Sequence, residues 1–330
     1  MWRSRARKTS PARARIFPYA QRHRLDPWEI RRKLSAQNCL LKESGLSYWA
    51  GPPSDIVDTA RYPIHEPGTA RYDAVVQFCG TALAEDGCCS LPAFLRPEAI
   101  LRIADEARRL SPQAHRSTVR HNPYFSPADP EVDSDHPRNR FQERTNGFVC
   151  TDLIGPESDL RQLYDWAGFT AFLADAFGIH PLYKYADPLA SMPFSTMRPG
   201  DEFPWHFDTN EFTVTLMIQA AESGGAFEYA PNIRDPEDEH YDDVAAVMAG
   251  DRSLVRTLPL QPGDIRLFLG RYTLHRVTRA AGQRTRHVAL PAWARVPNMV
   301  GKVHRTRQAY GRVLPIHLAQ GDARIDSLTD

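Results

Sequence analysis

The sequence predicts an α+β fold: a double-stranded β-helix, of the jelly-roll or cupin-like kind, buttressed by helices on its N-terminal side. Three observations predict it. Apolar residues recur at helical spacing in several segments between residues 73 and 177. After Pro188 the pattern changes to short runs rich in β-branched and aromatic residues. Turn signals such as Pro199-Gly200-Asp201, Pro262-Gly263-Asp264 and Ala281-Gly282-Gln283 separate those runs. Helices followed by many short strands favour a double sheet with helices on one side.

Residues 1–70 are rich in Arg and Pro and read as a basic N-terminal extension. Within it, 26–36 (DPWEIRRKLSA) has the form of one short helix, with Asp26 as N-cap and Pro27 at the first position. The stretch through Pro67 reads as a wrapping arm or partly ordered tail. A single domain is expected over 71–330, with helical support at about 71–180, a jelly-roll core at about 185–295 and a C-terminal tail at 296–330. Helices are expected at 73–85, at 97–110 and at 157–177. Pro97 opens the second, and Ile100, Leu101, Ala104 and Ala107 are expected to share its buried face. The polar stretch 112–147 reads as a long loop, a length that is uncommon unless the loop covers a functional site. Strands are expected near 190–198, 212–220, 226–230, 253–259, 265–269, 273–278 and 285–291, with one helix at 241–250.

Composition narrows the class. Of 330 residues, 42% are hydrophobic and 25% charged, the balance of a globular protein with a substantial core. The formal net charge of +1 supplies no global field toward nucleic acid or membrane, and neither partner is expected. The charge is uneven: residues 1–32 hold ten Lys or Arg against Asp26 and Glu29, a pattern that reads first as a solvated tail. The five cysteines are odd in number and form no CxxC pair, which fits a reducing, cytoplasmic setting rather than a disulfide framework. No apolar stretch approaches the ~20 residues of a spanning helix, and the Arg-rich start lacks the apolar run of a secretory signal.

The chemistry concentrates in a few residues. His206 and Asp208 stand two apart, so on an extended segment they point to the same side. His275 lies in a later strand, behind the apolar run IRLFLG, where antiparallel pairing can bring it opposite the first two. Two imidazoles and one carboxylate hold iron(II) on one face and leave the other open, although the same set also serves catalytic zinc. Arg286 follows in the next strand. Its guanidinium suits bidentate contact with the distal carboxylate of 2-oxoglutarate, and Arg284, on the same face, is the second candidate. Thr215, Thr273 and Thr278 are candidate hydroxyl partners in that clamp.

Several runs carry a resemblance. DPLASMPFSTMRPGDEFPWHFDTNEFTVTLMIQAAESGGAFEYAPNIRD, PGDIRLFLGRYTLHRVTRAAGQRTRHVAL and the late YGR at 310–312 are similar to a group of iron(II)/2-oxoglutarate enzymes. That group contains free amino-acid halogenases and related hydroxylases, and the likeness extends over roughly 75–312. It implies iron(II), with 2-oxoglutarate and O2 as cosubstrates and succinate and CO2 as products. Halogenating members carry Gly where this chain has Asp208, which opens a coordination position for chloride. The resemblance therefore implies a hydroxylase of the HxD type.

The expected substrate is a small molecule: a free amino acid or an amino-acid-derived metabolite, such as a natural-product intermediate. A related oxidation such as desaturation, or action on a nucleotide, is the alternative among enzymes; a silent jelly-roll binding protein is the alternative outside them. Candidate substrate residues are Arg144 and Asn146 for a carboxylate or phosphate, Asn210 and Glu211 for other polar groups, and Trp205 with Phe207 as pocket walls. Each has a plain structural reading beside it, as surface residue, strand end or core. Glu228, Asn232, Tyr310 and Arg312 are weaker candidates.

Overall fold

The structure, a computed structural model, describes residues 53–319. The expected helix at 26–36 and the basic stretch 1–32 lie outside the described residues. Packing begins before the expected boundary at residue 71: Ile56, Val57, Tyr62 and Ile64 are buried in the main core, and Val57 bridges Leu95. Their apolar side chains are too few and too irregularly spaced to announce themselves as an element.

The first helix, α1 (Ala70–Asp86), starts where the Thr69 side chain accepts from the Tyr72 amide and stops at Gly87, whose positive φ closes the last turn. Strand β1 (Cys88–Leu91) follows. Helix α2 (Pro97–Leu110) has the expected bounds with a rotated face. Ala99, Ile103 and Ala107 are buried, while Leu101 is 72% exposed, because the run at 99, 103 and 107 follows the helical period more closely.

The polar stretch expected to be a loop carries four short strands: β2 (His115–Arg116), β3 (Val119–His121), β4 (Gln142–Arg144) and β5 (Gly147–Val149). Strands this short and polar leave almost no periodic signal. The single helix expected at 157–177 is two, α3 (Asp159–Asp165) and α4 (Ala167–Phe177), separated by Trp166 in an extended conformation and ended by Gly178.

The remaining strands come in chain order: β6 (Tyr183–Lys184), β7 (Phe194–Met197), β8 (Phe203–His206), β9 (Thr213–Gln219), β10 (Ser223–Gly224) and β11 (Phe227–Ala230). Helix α5 (Tyr241–Met248) precedes β12 (Arg256–Leu258), β13 (Ile265–Phe268), β14 (Leu274–Val277), β15 (Ala280–Ala281), β16 (Arg286–Ala289) and β17 (Trp293–Ala294). Helices α6 (Val303–Tyr310) and α7 (Pro315–Leu318) close the described chain.

Two antiparallel sheets form the body. One has the order β1-β13-β9-β16-β7-β5-β2, the other β12-β11-β14-β8. From β7 to β16 the chain passes repeatedly between them, the winding of a double-stranded β-helix. The sheets meet face to face: the Phe227 and Phe268 rings are 5.2 Å apart, edge to face. On the outer face of the large sheet, Val214, Leu216, Ile218, Ile265, Leu267 and Ala289 pack with Ile103, Leu163, Phe169 and Phe172 of the helices. The outer face of the small sheet has its own core, in which Trp205, Phe207 and Leu274 pack beneath Val244 and Val247 of α5. Both outer faces are therefore apolar and covered, and polar side chains of the same strands are directed between the sheets.

Candidate metal and cosubstrate site

Strand β8 ends at His206, and β14 places His275 directly opposite it in antiparallel register. Asp208 follows β8 and is held from both sides. Its amide donates to the Gly270 carbonyl at 3.0 Å, and its Oδ2 accepts from Thr213 Oγ1 at 2.6 Å. Its Oδ1 lies 3.8 Å from His206 Nε2 and 3.5 Å from His275 Nε2. Among the described residues, these three form the one group whose ligand atoms, all within 4.8 Å of one another, could hold a metal ion.

The histidines are oriented for that task. His206 Nδ1 lies 2.7 Å from the Pro204 carbonyl, and His275 Nδ1 lies 2.9 Å from the Thr273 carbonyl. Each Nδ1 donates there, which leaves Nε2 as a lone pair aimed at the centre. Burial, reinforced by His275, holds His206 well below the usual imidazole pKa, so it stays a neutral ligand. Burial alone would raise the Asp208 pKa; the two histidines and the Thr213 hydroxyl outweigh it and keep the carboxylate ionised. A neutral imidazole, an ionised carboxylate and a second imidazole facing one point is the donor set that suits iron(II).

Gly270 leaves the space Asp208 needs: a Cβ there would overlap Asp208 Oδ2. Thr213 and Gly270 were not singled out in the sequence. The alternation of TVTLMIQ, which sends Thr213 to the same face as Thr215, was the signal for the first. Nothing local distinguishes the second.

Arg286 opens β16 on the inner face and is 4% exposed. Its Nε has no partner, and among the described residues no carboxylate pairs with it. Burial first, and the Arg266 charge second, push its pKa down to about 9, the mark of a buried cation with nothing to compensate it. Gly225 leaves room for it, since a Cβ there would stand 3.0 Å from Arg286 Cδ. Arg284 is in a different place: it is exposed, and its Nε donates to the Ala220 carbonyl at 2.8 Å. The two-residue spacing ceased to match faces because Arg284 precedes the strand. None of the three threonine candidates is shown in an Arg286 clamp: Thr215 Oγ1 accepts from Arg266, Thr273 Oγ1 from the Asn232 amide and Thr278 Oγ1 from the Ala226 amide.

On the other side of the triad lies a second polar group. The Phe203 ring stacks on His206 with 3.9 Å between centroids, and Arg144 lies over Phe203 at 5.4 Å and over Phe148 at 5.7 Å. Arg144 is 4% exposed, and its Nε and Nη2 have no partner. Asn146 donates to Ser195 Oγ at 3.0 Å, while its Oδ1 is buried without a partner. His121, unassigned in the sequence, joins them, with its ring centroid 6.2 Å from that of His206 and its Nε2 unsatisfied. Burial holds its pKa down at about 4.

Other expected residues lie elsewhere. Trp205 and Phe207 are not pocket walls: strand alternation turns them opposite to His206, into the core under α5. Both carboxylate oxygens of Glu211 are taken by Arg295. Asn210 is half-buried in the turn after Asp208. Glu228 pairs with Arg252 and Arg276, the Asn232 amide donates to Thr273, Tyr310 packs on Phe148, and Arg312 pairs with Asp152.

Two histidines and a carboxylate at the inner face of a double-stranded β-helix form a donor set that suits iron(II). Residues 152–310, which contain the whole triad and Arg286, match the family described as halogenase D. That match covers 159 of the 330 residues and is a similarity to the family over the stretch that carries the triad. A comparison with curated proteins gave no match. Among solved structures, similarity is found to the non-haem α-ketoglutarate-dependent epimerase SnoN from nogalamycin biosynthesis, with 16% identity, covering 67% of this chain and 81% of that one at a TM-score of 0.46. A Pseudomonas putida prolyl-4-hydroxylase gives 14%, 69%, 100% and 0.42. A 2OG-Fe(II) oxygenase-family oxidoreductase from Burkholderia pseudomallei gives 17%, 68%, 92% and 0.43. No helix among the described residues is long and apolar enough to cross a membrane.

Proposed function

We propose that this protein is a 2-oxoglutarate-dependent iron oxygenase that hydroxylates an unactivated C–H bond of a free amino acid or an amino-acid-derived metabolite, using His206, Asp208 and His275 as iron ligands. The observation that carries hydroxylation is Asp208. A carboxylate fills the position that the resembling halogenases leave to chloride, and Thr213 and Gly270 are arranged around it. Arg286 takes the distal carboxylate of 2-oxoglutarate. When bound, iron(II) and 2-oxoglutarate supply the oxidant: the 2-oxo acid and O2 yield succinate and CO2, and one oxygen atom enters the substrate. The protein's own residues orient and exclude water. Phe203 and Phe268, with ring centroids 3.9 Å from His206 and 4.8 Å from His275 respectively, shield the ligands from solvent. Arg144 and the Asn146 carbonyl oxygen present a cation and an acceptor beside the triad, a pairing that suits the carboxylate and ammonium of an amino acid.

The test is succinate release from 2-oxoglutarate with Fe(II) and O2, screened over L-amino acids and nucleotides. Stimulation by one or more amino acids is expected, and Arg144→Met should raise KM for that substrate without changing the 2-oxoglutarate requirement. No metal binding and no succinate under any condition would overturn the reading. Full hydroxylation by Asp208→Gly would remove Asp208 from the ligand set.

A further inference from the structure

We propose that Arg266 is a second anchor for the 2-oxo acid cosubstrate, acting with Arg286, and that the two guanidiniums make the pocket selective for a dianion. This rests on the oxygenase reading above. Strand β13 alternates: Ile265 and Leu267 enter the helix-side core, while Arg266 and Phe268 face the small sheet. The Arg266 guanidinium lies 3.5 Å over the Phe227 ring, and Nη2 donates to Thr215 Oγ1 at 2.8 Å. Its Nε and Nη1 are buried with no partner, and among the described residues no carboxylate pairs with it. Asp208 lies within electrostatic reach of Arg266, and Arg266 within reach of Arg286. The Phe268 ring lies 4.9 Å from the Arg266 guanidinium and 4.8 Å from the His275 ring, so Arg266 stands on the inner face beside the metal ligands, on the strand two places from that of Arg286.

Packing alone does not account for it. A neutral side chain would fill the space over Phe227 without the desolvation cost of a charge, and a second buried guanidinium nearby increases that cost. An anion between the two relieves both. Asp208 contributes one negative charge against two guanidiniums, and iron(II) adds two more positive charges. A 2-oxo dicarboxylate offsets two of these. A 2-oxo monocarboxylate offsets one and leaves the distal guanidiniums bare.

The experiment uses the full chain loaded with Mn(II) and titrated calorimetrically with the inert analogue N-oxalylglycine, and separately with 2-oxobutyrate, which has no distal carboxylate. Arg266→Met is expected to weaken N-oxalylglycine by about tenfold or more and to narrow its preference over 2-oxobutyrate, with the melting temperature of the unliganded protein unchanged or raised. Affinity within about twofold of wild type, with Arg286→Met losing binding, would overturn the proposal and leave Arg286 as sole anchor. A wild type that binds Mn(II) but not N-oxalylglycine would instead remove the cosubstrate reading and this one with it. If Arg266→Met does not fold, Arg266→Lys is measured in the same way: it keeps the charge but cannot bridge Thr215 and the anion together. A loss of about tenfold supports the proposal, and unchanged affinity overturns it.

Discussion

The two faces of the large sheet are built from the same strands and behave as opposites. Along β9, Val214, Leu216 and Ile218 enter an apolar core under the helices, while Thr213 and Thr215 face inward to hold Asp208 and Arg266. Along β13 and β16, Ile265, Leu267 and Ala289 face out, and Arg266 and Arg286 face in. The outer face is apolar and packed apart from His287, whose Nδ1 finds no partner. The inner face carries buried donors on Arg266 and Arg286 that no group among the described residues answers, and the proposed cosubstrate is placed there. Stability and chemistry are thus separated by the two-residue period of a strand rather than by distance along the chain.

Substitutions on each face test that separation. His275→Ala should have the largest effect, abolishing both metal binding and succinate release while the thermal transition of the metal-free protein stays cooperative; retained iron binding by calorimetry would break the division. On the outer face, Leu216→Ala should destabilise the fold by about 2–5 kcal/mol in urea denaturation while N-oxalylglycine affinity of the folded protein is unchanged. Thr213→Val, an inward change that keeps the shape, should lower metal affinity by about tenfold with folding stability altered by about 1 kcal/mol at most. An effect of the reverse kind, on stability and not on metal, would move Thr213 to the structural side.

The smallest effect concerns pH. His287 points to the helix side between Arg286 and Val288, and burial first, then Arg108 and Arg286, push its pKa from 6.5 down to about 4. The unfolded chain then takes up a proton at a higher pH than the folded one. Stability is complete above about 6.5 and declines as pH falls toward 4. His121 is shifted in the same direction, so His287→Gln should shallow the decline of the urea midpoint across that window without removing it. A slope identical to wild type would show that His287 is accessible to protons in the folded state.

Much of this arrangement was readable from sequence. His206, Asp208, His275 and Arg286 are recognisable because residue type, spacing and strand pattern agree, and the register of β8 with β14 follows from antiparallel pairing. Of its two readings, pocket wall or core, Trp205 takes the core, and the alternation that turns it away also aims His206 inward. Arg266 was missed because a cation inside an apolar strand reads as an edge residue until the opposing sheet is in place. His121 and Arg144 share a hairpin whose strands are three residues long, too short for periodicity to register. What escaped the sequence is what two segments make jointly, as when Glu211 is taken by Arg295 from 84 positions away.

The bare backbone at Gly270 has a consequence for how such a centre can change. While Asp208 is present, any side chain at 270 collides with its carboxylate. Removing the Asp208 side chain removes those contacts, so Gly270→Ala should cost less thermal stability in an Asp208→Gly background than in the wild type, a coupling that a double-mutant cycle reads.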